Sequence, residues 1–223
     1  MDKILVVDDE PGIRALLKDV LSAQGYDVIC ASRAGEALEV AALERPDLMI
    51  TDVGLPDGDG VQVARGIREI PSDIPVLIMT GAPSAGGAAE AMNLGIYDYL
   101  WKPLDLAELS AAVERALSVR RLRRELSAVY LGLERFDDLK EDIERVLLRE
   151  LDAPAFQIGL DLSPLCGRIA GALKSLGGDA ATALQARLER VAASAVRLER
   201  VRVDEQAMGW NCPTSERRDV LAS

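Results

Sequence analysis

Five short, mostly apolar runs alternating with amphipathic stretches constrain this chain most strongly. The runs lie at residues 3–7, 27–31, 48–51, 76–79 and 97–100, and the amphipathic stretches lie at residues 13–23, 35–43, 60–70 and 88–94. A strand that is apolar throughout, rather than at alternate positions, is buried on both faces. The pattern therefore predicts a five-stranded parallel sheet with helices on both sides.

Polar side chains stand where four of these runs end. They are Asp8-Asp9, Asp52, Thr80 and Lys102. Because the carboxyl ends of parallel strands meet at one edge of a sheet, we expect these side chains to lie together. Crowded carboxylates repel one another at neutral pH and need a cation, and all-oxygen ligands favour Mg²⁺. The sequence thus predicts a site for Mg²⁺ and a phosphoryl group.

Composition excludes several other classes of protein. The 223 residues allow one or two domains, 49% of them are hydrophobic, and no apolar run approaches the roughly 20 residues that span a bilayer. The N-terminus lacks a signal-peptide pattern, and Cys30, Cys166 and Cys212 are far apart, which predicts reduced thiols in a cytoplasmic protein. With no histidine and only three scattered cysteines, a structural zinc site is excluded.

The charge distribution argues against a nucleic-acid partner. The net charge is −11, with 17 acids and 8 bases in residues 1–104, and 20 acids and 18 bases in residues 105–223. The second half therefore lacks the basic excess expected of a DNA-binding domain. Its basic cluster, RRLRR at residues 120–124, is interpreted as a solvated helix face.

Four motifs in order make the first half resemble the receiver domain of two-component response regulators. They are VVDDE at 6–10, TDVGLPDGDG at 51–60, MTG at 79–81 and DYLWKP at 98–103. The resemblance covers residues 1–118. It implies a flavodoxin-like, doubly wound five-stranded parallel sheet of order 2-1-3-4-5, and a cis peptide bond before Pro103.

The resemblance also implies a metal site and a phosphoacceptor. Asp52 is then the phosphoacceptor, which uses its carboxylate as nucleophile. Asp9 and Asp52 would bind Mg²⁺ directly, Asp8 through water, and Gly54 through its backbone carbonyl. A calcium loop at residues 52–60 is the competing interpretation, but the segment lacks the glutamate that such a loop carries at its twelfth position.

Three further residues take roles around the phosphoryl group. The resemblance implies that Lys102, Thr80 and the Gly81 backbone N–H bind it. Thr80 and Tyr99 would form the conformational switch. The alternatives are that Tyr99 is an ordinary core residue and that Thr80 is a strand-end hydroxyl.

From Asp105 onward the chain shows helical signals only. Apolar residues recur at steps of three and four, which predicts a coiled-coil-like extension over residues 119–147 with a partner helix. The alternative is an amphipathic helix that folds back on its own domain. The seam consists of Val119, Leu122, Leu126, Val129, Leu133, Phe136, Ile143 and Leu147, with Lys140 at the one polar position.

Residues 143–160 resemble the dimerisation and phosphotransfer hairpin of sensor histidine kinases. That family reads His-Glu-Leu-x-x-Pro, and here Arg149 stands in the histidine position of the frame ending at Pro154. Ala153 stands where a phosphatase-competent kinase carries Thr or Asn. The resemblance therefore implies a degenerate hairpin that dimerises without catalysis. The alternative is a generic helical hairpin in which this spacing arose by chance. We place the hairpin at residues 148–206, with helices at 156–175 and 180–205, and a flexible tail at 207–223.

These observations together predict a cytoplasmic response regulator that is not an enzyme. A sensor histidine kinase would phosphorylate Asp52, and the output would be protein–protein interaction through a homodimer of the helical half. Another receiver or the helical stem of a kinase is a further expected partner. The alternative is a transcription regulator whose helical output domain binds DNA in an unrecognised way.

Overall fold

The computed structural model describes residues 1–70, 73–81, 96–132, 137–146, 148, 162–176 and 178–207. These residues divide into two compact units, one up to Leu117 and the other from Ser118. The division lies next to the predicted domain boundary at residue 118. The predicted helix at 88–94, the Arg149 frame and most of the predicted tail lie outside the described residues.

The first unit alternates strands and helices as the apolar periodicity predicts. Helix α1 begins with Pro11 at its first position, where the missing N–H costs nothing. In chain order the elements are β1 Lys3–Val7, α1 Pro11–Ala23, β2 Asp27–Ala31, α2 Ala34–Glu44, β3 Leu48–Asp52, β4 Gly54–Leu55, β5 Gly58–Asp59, α3 Gly60–Glu69, β6 Val76–Thr80 and β7 Ile96–Trp101.

Five of these strands form one parallel sheet of order β2-β1-β3-β6-β7. The predicted order 2-1-3-4-5 is confirmed, since β6 and β7 are the fourth and fifth strands of this sheet. The central strands are buried on both faces, and Ile4, Leu5, Ile50, Leu77 and Ile78 have no exposed surface. Two-sided burial explains why the runs do not alternate.

A two-stranded antiparallel hairpin, β4 and β5, was not predicted, because each of its strands is only two residues long. Its side chains cap two helices. Asp59 accepts a hydrogen bond from the backbone N–H of Gln62 at 2.7 Å and so caps α3. Asp57 accepts from the backbone N–H groups of Ala34 and Gly35, at 2.8 and 3.0 Å, and so caps α2.

The described part of the second unit is helical. Helix α4, Leu106–Gly132, crosses the division between the units, and α5 Asp137–Arg145, α6 Ser163–Leu176 and α7 Gly178–Ala207 follow. Helix α6 contacts both α5 and α7. Helix α7 begins two residues before the predicted residue 180. No described helix is long and apolar enough to cross a membrane.

The described seam positions are buried within a single chain. Leu122, Leu126, Val129 and Ile143 have no exposed surface, and Val119 is 4% exposed. Their burial therefore requires no second copy, although a coiled-coil dimer stays a prediction. The polar position is half-buried, with the Lys140 ammonium 5.4 Å from the centre of the Tyr130 ring. Leu133, Phe136 and Leu147 lie outside the described residues.

Candidate functional site

The sheet places the predicted site residues at its carboxyl edge. Asp8 directly follows β1, Asp52 is the last residue of β3, Thr80 is the last residue of β6, and Lys102 directly follows β7. These four strands are successive neighbours in the sheet. The parallel topology therefore brings together side chains that are up to 94 residues apart in sequence.

Lys102 connects the two carboxylates. Its ammonium nitrogen lies 2.9 Å from Asp52 Oδ1 and 3.2 Å from Asp8 Oδ2. Its backbone N–H donates to the Thr80 carbonyl at 2.8 Å, and the peptide bond to Pro103 is cis, as the resemblance implied. One cation thus neutralises part of the charge of two acids at the edge of the sheet.

Asp8 is buried, yet its carboxylate is paired on both oxygens. Its side chain has no exposed surface, Oδ1 accepts from the Glu10 backbone N–H at 2.8 Å, and Oδ2 faces Lys102. A buried carboxylate needs such partners, because burial without them costs several kcal/mol. Asp9 is exposed, and Arg14 donates from Nη1 to the backbone carbonyls of Asp8 and Asp9 at 2.7 and 2.9 Å.

The same contacts keep Lys102 charged. Partial burial acts to lower the pKa of Lys102, but hydrogen bonds and Coulombic attraction from Asp52 and Asp8 outweigh it, and the pKa is raised above its ordinary value. The side chain is 25% exposed, so the ammonium is accessible to a solvent-borne group. A cation held here is suited to bind an oxygen of a phosphoryl group.

The backbone of Asp52 is held by a close approach to Gly60. A Cβ atom at Gly60 would lie 2.2 Å from the Asp52 carbonyl oxygen. The backbone N–H of Gly60 donates to the Val53 carbonyl at 2.9 Å. Val53 in turn donates to the Met79 carbonyl at 3.0 Å. The contact that makes glycine necessary at position 60 is visible only in the fold.

The roles of the remaining predicted residues around the site stay predictions. Thr80 is 6% exposed, and Gly81 is exposed. A Cβ at Gly54 would lie 3.6 Å from Asp52 Oδ2. Tyr99 is half-buried and packs against the apolar core cluster, which agrees with a core residue as well as with a switch.

The acidic residues offer the right donor chemistry for Mg²⁺. Asp8 and Asp52 supply carboxylate oxygens around one cation, the Lys102 ammonium group, and Asp9 directly follows Asp8 in the sequence. Hard oxygen donors are what Mg²⁺ prefers. Among the described residues, however, no group of three or more acidic or cysteine side chains is arranged to hold a metal ion. The residues thus fit the ion chemically, and the full set of ligands stays a prediction.

A buried ion pair supports the strand that delivers Lys102. Asp98 in β7 is 9% exposed and Arg115 in α4 is 8% exposed, and Arg115 Nη2 donates to Asp98 Oδ2 at 2.8 Å. Asp98 Oδ1 also accepts from the Tyr99 backbone N–H at 2.9 Å. The sequence interpretation missed this pair. The available signal was an aspartate inside an apolar run, which needs a partner when it is buried.

Comparison with known proteins agrees with this geometry. The model of the response regulator receiver domain matches residues 4–114. Response regulator MprA of Mycobacterium ulcerans is 33% identical over 214 residues, which is 96% of this chain and 82% of that protein. MprA of Mycobacterium tuberculosis H37Rv is 40% identical over 140 residues, 63% of this chain. Regulatory protein AtoC of Escherichia coli K12 is 33% identical over 133 residues, 60% of this chain. The chain spans 60% of that M. tuberculosis protein and 29% of AtoC.

Solved structures are similar to the first half. The receiver domain protein of Clostridium thermocellum is 34% identical, with a TM-score of 0.50, and the match covers 52% of this chain and 94% of that one. The signal receiver domain of an HD domain-containing protein from Pseudomonas fluorescens Pf-5 is 34% identical, with a TM-score of 0.52, and the match covers 56% and 92%. These likenesses concern the sheet and its helices.

Proposed function

Because this chain belongs to the response regulators of two-component signalling, with a receiver domain at residues 4–114, we propose that Asp52 is its phosphoacceptor. A sensor histidine kinase is the proposed donor. An Asp52 carboxylate oxygen attacks the phosphorus, a phosphorus–oxygen bond forms, and the phosphorus–nitrogen bond to the kinase histidine breaks. The kinase imidazole leaves, and the phosphoryl group stays on Asp52.

One observation carries this proposal. Lys102 lies 2.9 Å from Asp52 Oδ1, so a phosphoryl group on that carboxylate would form next to an ammonium group. Phosphoryl transfer depends mainly on positioning and charge neutralisation, which such a cation supplies. Asp9, Asp52 and the Gly54 carbonyl, with Asp8 through water, would hold Mg²⁺, which supplies further positive charge to the transferred group when bound. Thr80 and the Gly81 N–H would bind the remaining phosphoryl oxygens.

Labelling with radioactive acetyl phosphate in the presence of Mg²⁺ tests the site. We expect Asp52→Asn to abolish labelling, because the amide is not a nucleophile, and we expect chelation of Mg²⁺ to abolish labelling of the wild type. Asp59→Asn is the matched control, since asparagine caps a helix as well as aspartate does. It removes one carboxylate from the same segment and should label normally. Labelling of Asp52→Asn at the wild-type level would refute the assignment.

We propose that the output is protein–protein interaction by the helical half, which acts without catalysis as a degenerate kinase-like dimerisation module. The described part of residues 118–209 is helical, and these residues carry 15 basic and 15 acidic side chains. Phosphorylation of the receiver would shift a two-state equilibrium that changes how this module pairs. A kinase helical stem or another receiver is the proposed partner.

A DNA-binding output is the second candidate. It is the alternative that the sequence leaves open, and the match to response regulator MprA of M. ulcerans extends over 96% of this chain, so the helical half takes part in the match. The lack of net positive charge in residues 118–209 argues against it. Gel-shift assays on random and genomic fragments distinguish the two candidates. Binding that weakens steeply with salt would favour a DNA-binding output.

A further inference from the structure

A groove in the second unit gathers arginines from two distant parts of the sequence. It has a volume of about 540 Å³, and α4 and α7 form its walls. Arg121 and Arg124 line it from α4, and Arg187, Arg190 and Arg197 line it from α7. The sequence interpretation took the cluster at 120–124 as a solvated helix face. The fold instead sets two of its arginines opposite a second row some 65 residues later.

The spacing of the second row explains how three arginines share one wall. Positions 187, 190, 194 and 197 follow steps of three and four, which lie on one face of a helix. Leu188, Val191 and Leu198 on the same helix are buried, so the arginines flank the packed face. The small residues Ala128, Ala193 and Ser194 line the groove between the arginines and leave its volume open.

The charge of the groove is unbalanced. Glu125 is the one acidic residue among the described residues that line it, against five guanidinium groups. Its Oε1 accepts from Arg190 Nε at 2.9 Å, while its Oε2 is buried and has no hydrogen-bond partner in the described part of the chain. Residues 118–209 as a whole are balanced, with 15 bases and 15 acids. Positive charge is therefore concentrated at this groove, where an anion would relieve the repulsion between guanidinium groups.

The dimensions fit a short segment of polypeptide. From Arg187 to Arg197 the wall is about 15 Å long at 1.5 Å per residue. An extended peptide covers that length in about five residues at roughly 3.3 Å each. A duplex nucleic acid requires a broad basic surface. Residues 118–209 carry equal numbers of bases and acids, and the whole chain has a net charge of −11, so the second unit does not offer such a surface. Carboxylates match guanidinium groups with paired hydrogen bonds.

We infer that the groove between α4 and α7 binds an acidic peptide segment of a partner protein, whose carboxylates pair with Arg187 and Arg197. This inference rests on the proposed protein–protein output and adds the chemistry of the partner. Arg190 is already held by Glu125 and forms part of the wall. An acidic stretch on the surface of a kinase or of another receiver has the required chemistry.

Fluorescence anisotropy of the full chain with a labelled decapeptide of alternating Ala and Glu tests the inference. We expect binding at 50 mM NaCl that weakens at 300 mM NaCl, and no binding of the matching Ala–Gln or Ala–Lys peptides. The double variant Arg187→Gln, Arg197→Gln should lower the affinity about fivefold or more, for the loss of two solvent-accessible ion pairs. The control double variant Arg65→Gln, Arg68→Gln removes the same charge from exposed positions on α3 and should bind like the wild type.

Four results would overturn the inference. The first is that the acidic peptide does not bind, and the second is that it binds the Arg187→Gln, Arg197→Gln variant as well as the wild type. The third is that only a 20-base-pair DNA duplex binds. The fourth is that the same double variant loses self-association, which would assign the groove to a second copy. DNA binding through the groove would overturn the proposed protein–protein output as well. Absence of peptide binding alone would leave phosphorylation of Asp52 and the proposed output standing.

Discussion

At the scale of single residues, the site depends on close contacts. One contact needs a particular side chain, and another needs a residue that has no side chain. Lys102 holds two carboxylates, and Gly60 lets the chain pass within reach of the Asp52 carbonyl. The first contact follows from motifs that the sequence displays. The second depends on how tightly the β4–β5 hairpin folds over the end of β3.

We expect Gly60→Ala to disturb the site. Its Cβ would lie 2.2 Å from the Asp52 carbonyl oxygen, so the backbone must shift, and we expect a loss of about 2 kcal/mol of unfolding free energy. Labelling by acetyl phosphate should slow because Asp52 moves. Urea denaturation and labelling rates measure both effects.

Gly12→Ala is the matched control for this change. A Cβ at Gly12 meets nothing within 4 Å, and the residue lies in α1, so alanine should stabilise the protein by about 0.5 kcal/mol. Equal stability and equal labelling of the two variants would contradict the proposed role of the close approach at Gly60.

At the scale of elements, helix ends show how separate segments lock together. Helix α2 receives no side-chain cap from Arg33, the residue before it, and the Asp57 carboxylate from the β4–β5 hairpin binds its first N–H groups instead. The negative charge also lies favourably at the positive end of the helix dipole. This contact joins the hairpin beside Asp52 to the helix that follows β2.

This cap predicts a pH dependence of stability. The backbone N–H groups of Gly35 and Ala34 hold the pKa of Asp57 below its ordinary value. A lowered pKa in the folded state gives stability that is present above the unfolded pKa and is lost as pH falls through the folded value. Asp57 accepts one hydrogen bond on each carboxylate oxygen, and asparagine, with one carbonyl oxygen and no charge, can replace only one of them. The wild type should therefore unfold at a higher temperature than Asp57→Asn between pH 5 and 7, and the difference should shrink below about pH 4. A difference independent of pH would contradict the cap.

At the scale of the whole molecule, the main question is whether the helical half pairs with a second copy. The described apolar positions of the seam that predicted a partner helix are buried within one chain. In the described part of the second unit, the large apolar side chains that are exposed are Leu131, Leu148 and Val196. They are 73%, 63% and 54% exposed. These are the side chains that a dimer of this half would still have to cover.

Light scattering tests self-association of the full chain and of residues 1–118, each with and without beryllofluoride and Mg²⁺. We expect a dimeric full chain and a monomeric fragment, and we expect Leu131→Glu to weaken the dimer because a charge would be buried. Leu43→Glu changes a residue of α2 that is 82% exposed and should leave the dimer intact. A full chain that is monomeric under all conditions would refute the proposed dimer.

The sequence by itself determined the receiver half. Its strands and helices carry strong local periodicity, and the polar residues at strand ends meet because parallel topology brings those ends to one edge. Asp8, Asp52, Thr80 and Lys102 were therefore predictable together. The Arg149 frame of the second half lies outside the described residues, and its kinase-like interpretation stays a prediction.

Only the tertiary structure decided which distant groups meet. The pairing of Asp98 with Arg115, the cap of α2 by Asp57 and the groove shared by Arg121 and Arg187 each join separate elements. Local pattern states which face of a helix is apolar, but it does not state which neighbour covers that face. That choice depends on packing volumes and charge pairing across the whole unit, and these exist only once the chain is folded.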